Sequence, residues 1–188
     1  SLSGSYPFKG AQRGVQVAVA LQNIAKAKGV DIRVLAYGID SIQGTSPGII
    51  CQGRLARTRI AQLLSTEVDV FLDPSTNHSY GMPALEAIAC GVPVIGWNNR
   101  GIREYIPALP KDREPIRDND VSSKEIAVMI FEALTNPELR TNIADFQARC
   151  LPTHNRKVSM KKFEQSLNKL RPQTNSKLKI CLVTPHLR

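Results

Sequence analysis

Two helix starts in this sequence carry residues suited to holding a phosphate. The first is Gly81-Met82-Pro83-Ala84-Leu85, which follows a polar loop, with Glu86 one turn into the helix. The leading amides of a helix have no intrahelical acceptor and sit at the positive end of its dipole, so they suit a phosphate or diphosphate. Gly81 permits close approach of backbone to ligand. Pro83 fits a first turn because its missing N–H would have had no partner there. The second start is Lys9-Gly10, just ahead of a helical pattern from Ala11 to Lys28. A lysine at a helix start is a ready phosphate ligand. An ordinary βαβ unit with turn glycines and a solvent-exposed lysine would carry the same letters.

The elements that must position these residues are legible around them. Val68–Leu72 is a short apolar strand ended by Asp73-Pro74-Ser75. The helix from Pro83 is closed by Gly91, with Pro93 just beyond, and Val92–Gly96 forms a second buried strand. Asn98-Asn99-Arg100-Gly101 follows as a loop. Such a βαβ unit gathers the helix start and both post-strand loops on one edge of a parallel sheet, where open α/β sheets bind ligands. Upstream, the spacing of Val15, Ala18, Val19, Leu21, Ile24 and Ala25 predicts a helix stopped by Gly29. Strands are expected at Asp31–Tyr37 and Ile49–Gln52, with a helix at Ala56–Thr66. Downstream, a short helix is expected at Ile102–Tyr105 and a short strand at Pro115–Arg117. Helices follow from Ser122 or Ser123 to Thr135, with Glu125 near the cap, and from Asn136-Pro137 to Cys150. A last amphipathic helix is expected at Val158–Leu170.

YGMPALEAIACGVPVIG, with FLDPS before it and RGIRE after it, resembles the donor-site signature of retaining GT-B glycosyltransferases of the family 4 type, the glycosyl transferases group 1. Those enzymes carry two acids eight positions apart. Glu86 matches the second, which in the family holds the ribose hydroxyls of the nucleotide. The first falls at His78, which the resemblance places beside the donor sugar as the candidate catalytic residue. Gly81, Met82, Pro83, Ala84 and Leu85 match the residues that wrap the donor diphosphate. The family also places a Lys-Gly pair at Lys9-Gly10, with the lysine on that diphosphate. A Gly-Arg pair that often precedes it has no counterpart near Ser3, and Arg13 is the nearest arginine. Gly53, Arg54 and Leu55 match a loop on the nucleobase side; Arg54 reads equally as a phosphate contact or a surface arginine. Arg100 stands where many relatives have glycine, within reach of the donor phosphates. Glu104 matches an acid with a structural role.

The resemblance implies an α/β fold: a Rossmann-like parallel sheet flanked by helices, the C-terminal donor-binding half of a GT-B enzyme. It implies retaining transfer of a sugar from a nucleotide-diphosphate sugar to a glycan or lipid-linked acceptor. The acceptor would be held by a domain outside this chain, so the chain alone is expected to be inactive. No metal or other cofactor is expected, because cations and helix dipoles would stabilise the leaving diphosphate. Two other readings stay open: a GT-B epimerase acting on nucleotide sugars, and a glycosyltransferase-like interaction module that has lost its chemistry, which His78 and the missing arginine would allow.

The bulk properties fit a soluble α/β domain. The 188 residues, 42% apolar, support a single core. No apolar run approaches the roughly 20 residues that span a bilayer. No charged-then-apolar leader opens the sequence, and Cys51, Cys90, Cys150 and Cys181 form no CxxC, so a reducing cytoplasm is expected. The net charge of +9 is uneven: from His154 onward there are nine Lys/Arg and one acid, Glu164. That basic tail reads either as a solvated helix face or as attraction to an anionic membrane surface or a phosphate-bearing acceptor. Nucleic acid is not expected, since Phe163 is the tail's lone aromatic and no recognition motif appears. The domain is expected to span residues 1–171, with a linker at 172–176. Residues 177–188, KLKICLVTPHLR, read as a strand that either opens a following transferase domain or closes this domain's own sheet.

Overall fold

A computed structural model describes residues 10–38, 48–75, 81–110 and 113–151. These residues belong to one compact unit. Lys9, His78, the helix expected at Val158–Leu170, the linker and the terminal strand lie outside the described residues.

The elements alternate as βα units require: α1 (Ala11–Lys28), β1 (Val34–Ala36), β2 (Ile49–Cys51), α2 (Arg57–Thr66), β3 (Phe71–Asp73), α3 (Met82–Ala89), β4 (Val94–Trp97), a 3₁₀ turn (Gly101–Glu104), β5 (Ile116–Arg117), α4 (Ser123–Thr135) and α5 (Pro137–Cys150). β1 pairs with β2, and β4 lies between β3 and β5; every pairing is parallel. The strands are shorter than their apolar runs suggest. Ile32 and Val70 pack into the core ahead of the paired residues of β1 and β3.

β4 explains the layering. All four of its residues are buried, as a strand covered by helices on both faces must be. Alternation sends Val94 to a cluster with Ala84, Ala87 and Ile88 of α3 and with Ile102 and Ile106. Ile95 and Trp97 point the other way, into a cluster with Val17 and Leu21 of α1 and Ile126 and Ile130 of α4. Each such fully buried large side chain contributes about 2 kcal/mol. Gly96 is the exception on the strand. It faces Asp73 in register, and a Cβ there would overlap the Asp73 carbonyl.

The ends of the later helices follow local chemistry. Ser122 and Glu125 form a complete capping box at α4, and Asn136 caps α5 by accepting from the Leu139 N–H at 3.1 Å. Among the described residues, no helix is long and apolar enough to cross a membrane.

Candidate functional site

α1 and α3 differ from α4 and α5 at their starts. Neither has a side-chain cap, and each is opened by a glycine with positive φ, +66° at Gly10 and +68° at Gly81. Each glycine is also fixed by a neighbour. At Gly10 a Cβ would overlap the Pro74 carbonyl, so the start of α1 lies directly against the loop after β3. At Gly81 a Cβ would come to 3.0 Å from the Tyr105 hydroxyl, which donates to the Gly81 carbonyl at 3.2 Å. Tyr105, three residues into the chain beyond Ile102, therefore sets the direction in which α3 begins.

The first turn of α3 refines the expectation for residues 81–85. The Leu85 N–H donates to the Gly81 carbonyl at 3.1 Å, and Pro83 has no N–H. Met82 and Ala84 are left as the residues of this turn whose amides have no intrahelical acceptor. Met82 is 51% exposed, whereas Gly81 and Ala84 are buried.

The loops after β3 and β4 are joined by a buried polar link. Asp73 Oδ2 accepts from Asn99 Nδ2 at 2.8 Å, while its Oδ1 accepts from the Ser75 amide at 3.1 Å and from the Ser75 hydroxyl. Asn99 Oδ1 in turn accepts from the Ile102 N–H at 3.0 Å. A buried carboxylate needs such donors, because desolvation without them costs several kcal/mol (about 1–3 for each unmet polar group). The next residue, Arg100, has φ +67° and ψ −54°, and the Gly101 N–H donates across it to the Asn99 carbonyl at 2.8 Å. This is a γ-turn of the rare positive-φ kind, strained for any side chain. Its side chain is exposed.

Arg13 has a different task from the one a missing upstream arginine would leave open. Its guanidinium lies 3.7 Å from the Trp97 ring centroid and donates to Asn119 Oδ1 and O at 3.3 and 3.0 Å. Asn119 also donates to the Asn98 carbonyl at 2.8 Å. Arg13 thus ties the start of α1 to the loop carrying Arg100.

On the other side, the Gly38 N–H donates to the Gly53 carbonyl at 2.7 Å, so the loops after β1 and β2 are stitched together. Arg54 is exposed and Leu55 half-buried. Tyr37, at the end of β1, packs against Phe71 with ring centroids 6.4 Å apart. Its hydroxyl oxygen is buried without a hydrogen-bond partner among the described residues. Burial first, then the charges of Glu86 and Asp73, push its pKa up to about 12. Glu86 itself is half-buried, and no described residue donates to its carboxylate. Sequence reasoning did not single out Tyr37, Asp73 or Asn99 as site residues. The signal was their position at or within two residues of the carboxyl ends of strands β1, β3 and β4.

Residues 42–149 match the model of a family described as Glycosyl transferases group 1. No curated protein sequence matches the chain. Among solved structures, WaaG, a glycosyltransferase involved in lipopolysaccharide biosynthesis, is 18% identical with a TM-score of 0.63, over 87% of this chain and 44% of that one. HepE of Anabaena in complex with UDP-glucose is 18% identical with a TM-score of 0.63, over 87% of this chain and 46% of that one. The C-terminal domain of LpcC, a glycosyl transferase group 1 family protein of Francisella tularensis, is 20% identical with a TM-score of 0.53, over 78% of this chain and 79% of that one. The chain therefore spans less than half of WaaG and HepE and most of an isolated C-terminal domain. With more than half of its length matched by the family model and this α/β architecture of parallel sheets flanked by helices, the chain belongs to the group 1 glycosyl transferases and has the fold of one half of a GT-B enzyme.

Proposed function

We propose that this chain is the donor-binding half of a retaining glycosyltransferase that uses a nucleotide-diphosphate sugar. The observation that carries the reading is the pair of glycine-opened, uncapped helix starts, at Gly10, set against the loop after β3, and at Gly81, with Glu86, which accepts from no described residue, one turn into α3. A helix start carries roughly half a positive charge, so two of them with Lys9 and Arg100 suit a diphosphate without a metal. Glu86 accepts from the ribose hydroxyls, and the Gly53–Leu55 loop lies on the base side. Support for a nucleotide sugar comes from HepE, which is solved with UDP-glucose.

In the proposed reaction the bond between the anomeric carbon and the diphosphate oxygen breaks, and its electron pair leaves with the diphosphate. The acceptor hydroxyl forms the new bond on the same face and gives its proton to the departing oxygen. The protein's part is to neutralise that oxygen and align two substrates. The acceptor, a glycan or lipid-linked glycan of the cell envelope, binds the other half of the enzyme, on the cytoplasmic side of the membrane. Involvement of WaaG in lipopolysaccharide biosynthesis supports the envelope part of this reading. The basic tail adds peripheral attraction to the membrane surface.

The test is calorimetric titration with UDP, GDP and ADP, repeated on Lys9→Ala and Glu86→Ala. Saturable binding of one nucleotide, weakened about tenfold by each change, is expected. Binding indifferent to both changes would sink the reading. His78, in place of an acid, favours a second reading, a transferase-like module without turnover. His78→Glu in the protein joined to its acceptor half separates the two: gain of transfer indicates a degenerate site.

A further inference from the structure

The strained turn at Arg100 is held from two sides. On one side Asn99 is buried and bonded to Asp73 and to the Ile102 N–H. On the other side the Arg100 N–H donates to Asn98 Oδ1 at 3.1 Å. Asn98 is itself clamped at both backbone groups. Its N–H donates to the Arg117 carbonyl at 2.7 Å, and its carbonyl accepts from Asn119 Nδ2 at 2.8 Å. A non-glycine residue with positive φ persists only where its surroundings over-determine it, so these contacts keep the Arg100 backbone in this turn and set the direction of its side chain.

Asn119 lies exposed in the turn after β5, where water competes for the bonds of a side-chain amide. Arg13 fixes it. One guanidinium nitrogen donates to Asn119 Oδ1 at 3.3 Å and another to the Asn119 carbonyl at 3.0 Å, a fork that grips side chain and backbone of a single residue. This sets the amide's orientation, with Oδ1 toward Arg13 and Nδ2 toward Asn98. The guanidinium is seated on Trp97, 3.7 Å from the ring centroid, and the indole N–H is locked by donating to the Val121 carbonyl at 2.8 Å. Trp97 is fully buried at the end of β4 and immediately precedes Asn98. One face and both terminal nitrogens of the Arg13 guanidinium are thus engaged within the protein, the arrangement of a brace rather than of a cation held open for a phosphate.

We infer that Arg13 is a positioning residue of this site: braced on Trp97, it orients Asn119, which holds Asn98 and through it the Arg100 turn, so that Arg13 contributes to diphosphate binding only by way of Arg100. The inference rests on the donor-site reading, in which Arg100 meets the donor phosphates, and adds to it the residue that sets Arg100 in place.

The experiment is calorimetry of the full chain with the nucleoside diphosphate that binds among UDP, GDP and ADP. The variants are Arg13→Ala, Arg13→Lys, Asn119→Ala and Arg100→Ala, with Arg13→Ala and Asn119→Ala each also combined with Arg100→Ala. Arg13→Ala and Asn119→Ala are each expected to weaken binding about three- to fivefold, part of the about tenfold that Arg100→Ala removes, and to weaken it no further once Arg100 is alanine. Arg13→Lys keeps the charge but not the planar fork, so it should bind as weakly as Arg13→Ala. Asn119 is exposed, so its variant decides the outcome should Arg13→Ala lose its far-ultraviolet circular dichroism. Affinity restored by Arg13→Lys, or the same loss from Arg13→Ala with and without Arg100, would make Arg13 a direct phosphate ligand and overturn the inference. Undiminished binding by Asn119→Ala or by Arg100→Ala, with Glu86→Ala still weakened, would overturn it while leaving the donor-site reading intact. Absence of nucleotide binding by the wild-type protein would overturn both.

Discussion

Asn99 Nδ2 donates to Asp73 Oδ2 at 2.8 Å, joining the carboxyl ends of adjacent strands β3 and β4 through two buried side chains. Because Asn99 also accepts from the Ile102 N–H, one residue fixes both the loop after β3 and the 3₁₀ turn after β4. Exchanging the roles tests this link. Asp73→Asn sets two amide donors against each other, and Asn99→Asp sets two carboxylates together. Each is expected to cost about 2–3 kcal/mol in urea unfolding. The double exchange restores one donor and one acceptor, with Asp at position 99 still able to receive the Ile102 amide. It should recover more than half of the summed loss, a coupling that independent sites would not show.

On the proposed donor-site reading, Arg100 trades stability for a charge beside the donor phosphates. Its positive-φ γ-turn stores about 1–3 kcal/mol, which glycine would release, less up to about 1 kcal/mol from the greater freedom of the unfolded chain. Arg100→Gly is therefore expected to raise the urea midpoint by about 1 kcal/mol in stability and to weaken nucleotide binding about tenfold, since a charge-assisted contact is lost. Arg100→Ala keeps a side chain in the strained turn, so it should lose the affinity without the gain in stability. A stabilised Arg100→Ala, or undiminished binding by Arg100→Gly, would contradict this account.

Most of the fold was legible because its signals are local. The Ala11–Lys28 helix needed only apolar spacing and Gly29, and the Ser122 capping box and the Asn136-Pro137 start needed only adjacent letters. Strand lengths were not legible, because pairing depends on the neighbour: Val68 and Val70 are as apolar as Phe71, yet the ladder with β4 begins at Phe71. Within the candidate site, Gly10 and Gly81 were marked by helix starts. Arg13 was not separable from a phosphate ligand by sequence, since its ring partner Trp97 and its acceptor Asn119 lie 84 and 106 positions away. Tyr37 was hidden for the same reason: its ring contact with Phe71 exists only once β1 and β3 are brought together.

Tyr37 should also be visible in titration. The chain holds four tyrosines, and this one is held protonated by burial and by the charges of Glu86 and Asp73. Its folded pKa, about 12, lies above the ordinary value of 10.0. A raised folded pKa means that its contribution to stability is complete below the unfolded pKa and is lost as pH rises through the folded one. Tyrosinate absorbance of the wild type minus that of Tyr37→Phe is expected to be flat through the ordinary tyrosine range and to rise only toward pH 12. Stability of the wild type relative to the variant should fall over the same alkaline window. A difference titration centred at the ordinary value would show that the phenol is not enclosed.

Gln147 offers the sharpest test of how β4 is held in place. Its side-chain amide is fully buried and imitates a neighbouring strand, accepting from the Val94 N–H and donating to the Val94 carbonyl, both at 2.7 Å. β5 pairs only with Gly96 and Trp97, so it leaves that edge of Val94 uncovered. Gln147→Leu strands both backbone groups in the core and is expected to cost about 2–4 kcal/mol. Gln147→Glu behaves differently with pH. The ionised carboxylate still accepts from the Val94 N–H, but it has nothing to donate to the carbonyl and carries a buried charge, whereas the protonated acid reproduces both bonds. Its folded pKa is therefore raised, so its stability is present at low pH and lost as pH rises through that value. Urea unfolding of the two variants at pH values below and above neutrality checks this. Gln147→Glu should approach the wild type in acid and drop below Gln147→Leu near neutrality, whereas parallel pH profiles would mean that the Gln147 amide fills space beside Val94 without completing its hydrogen bonds.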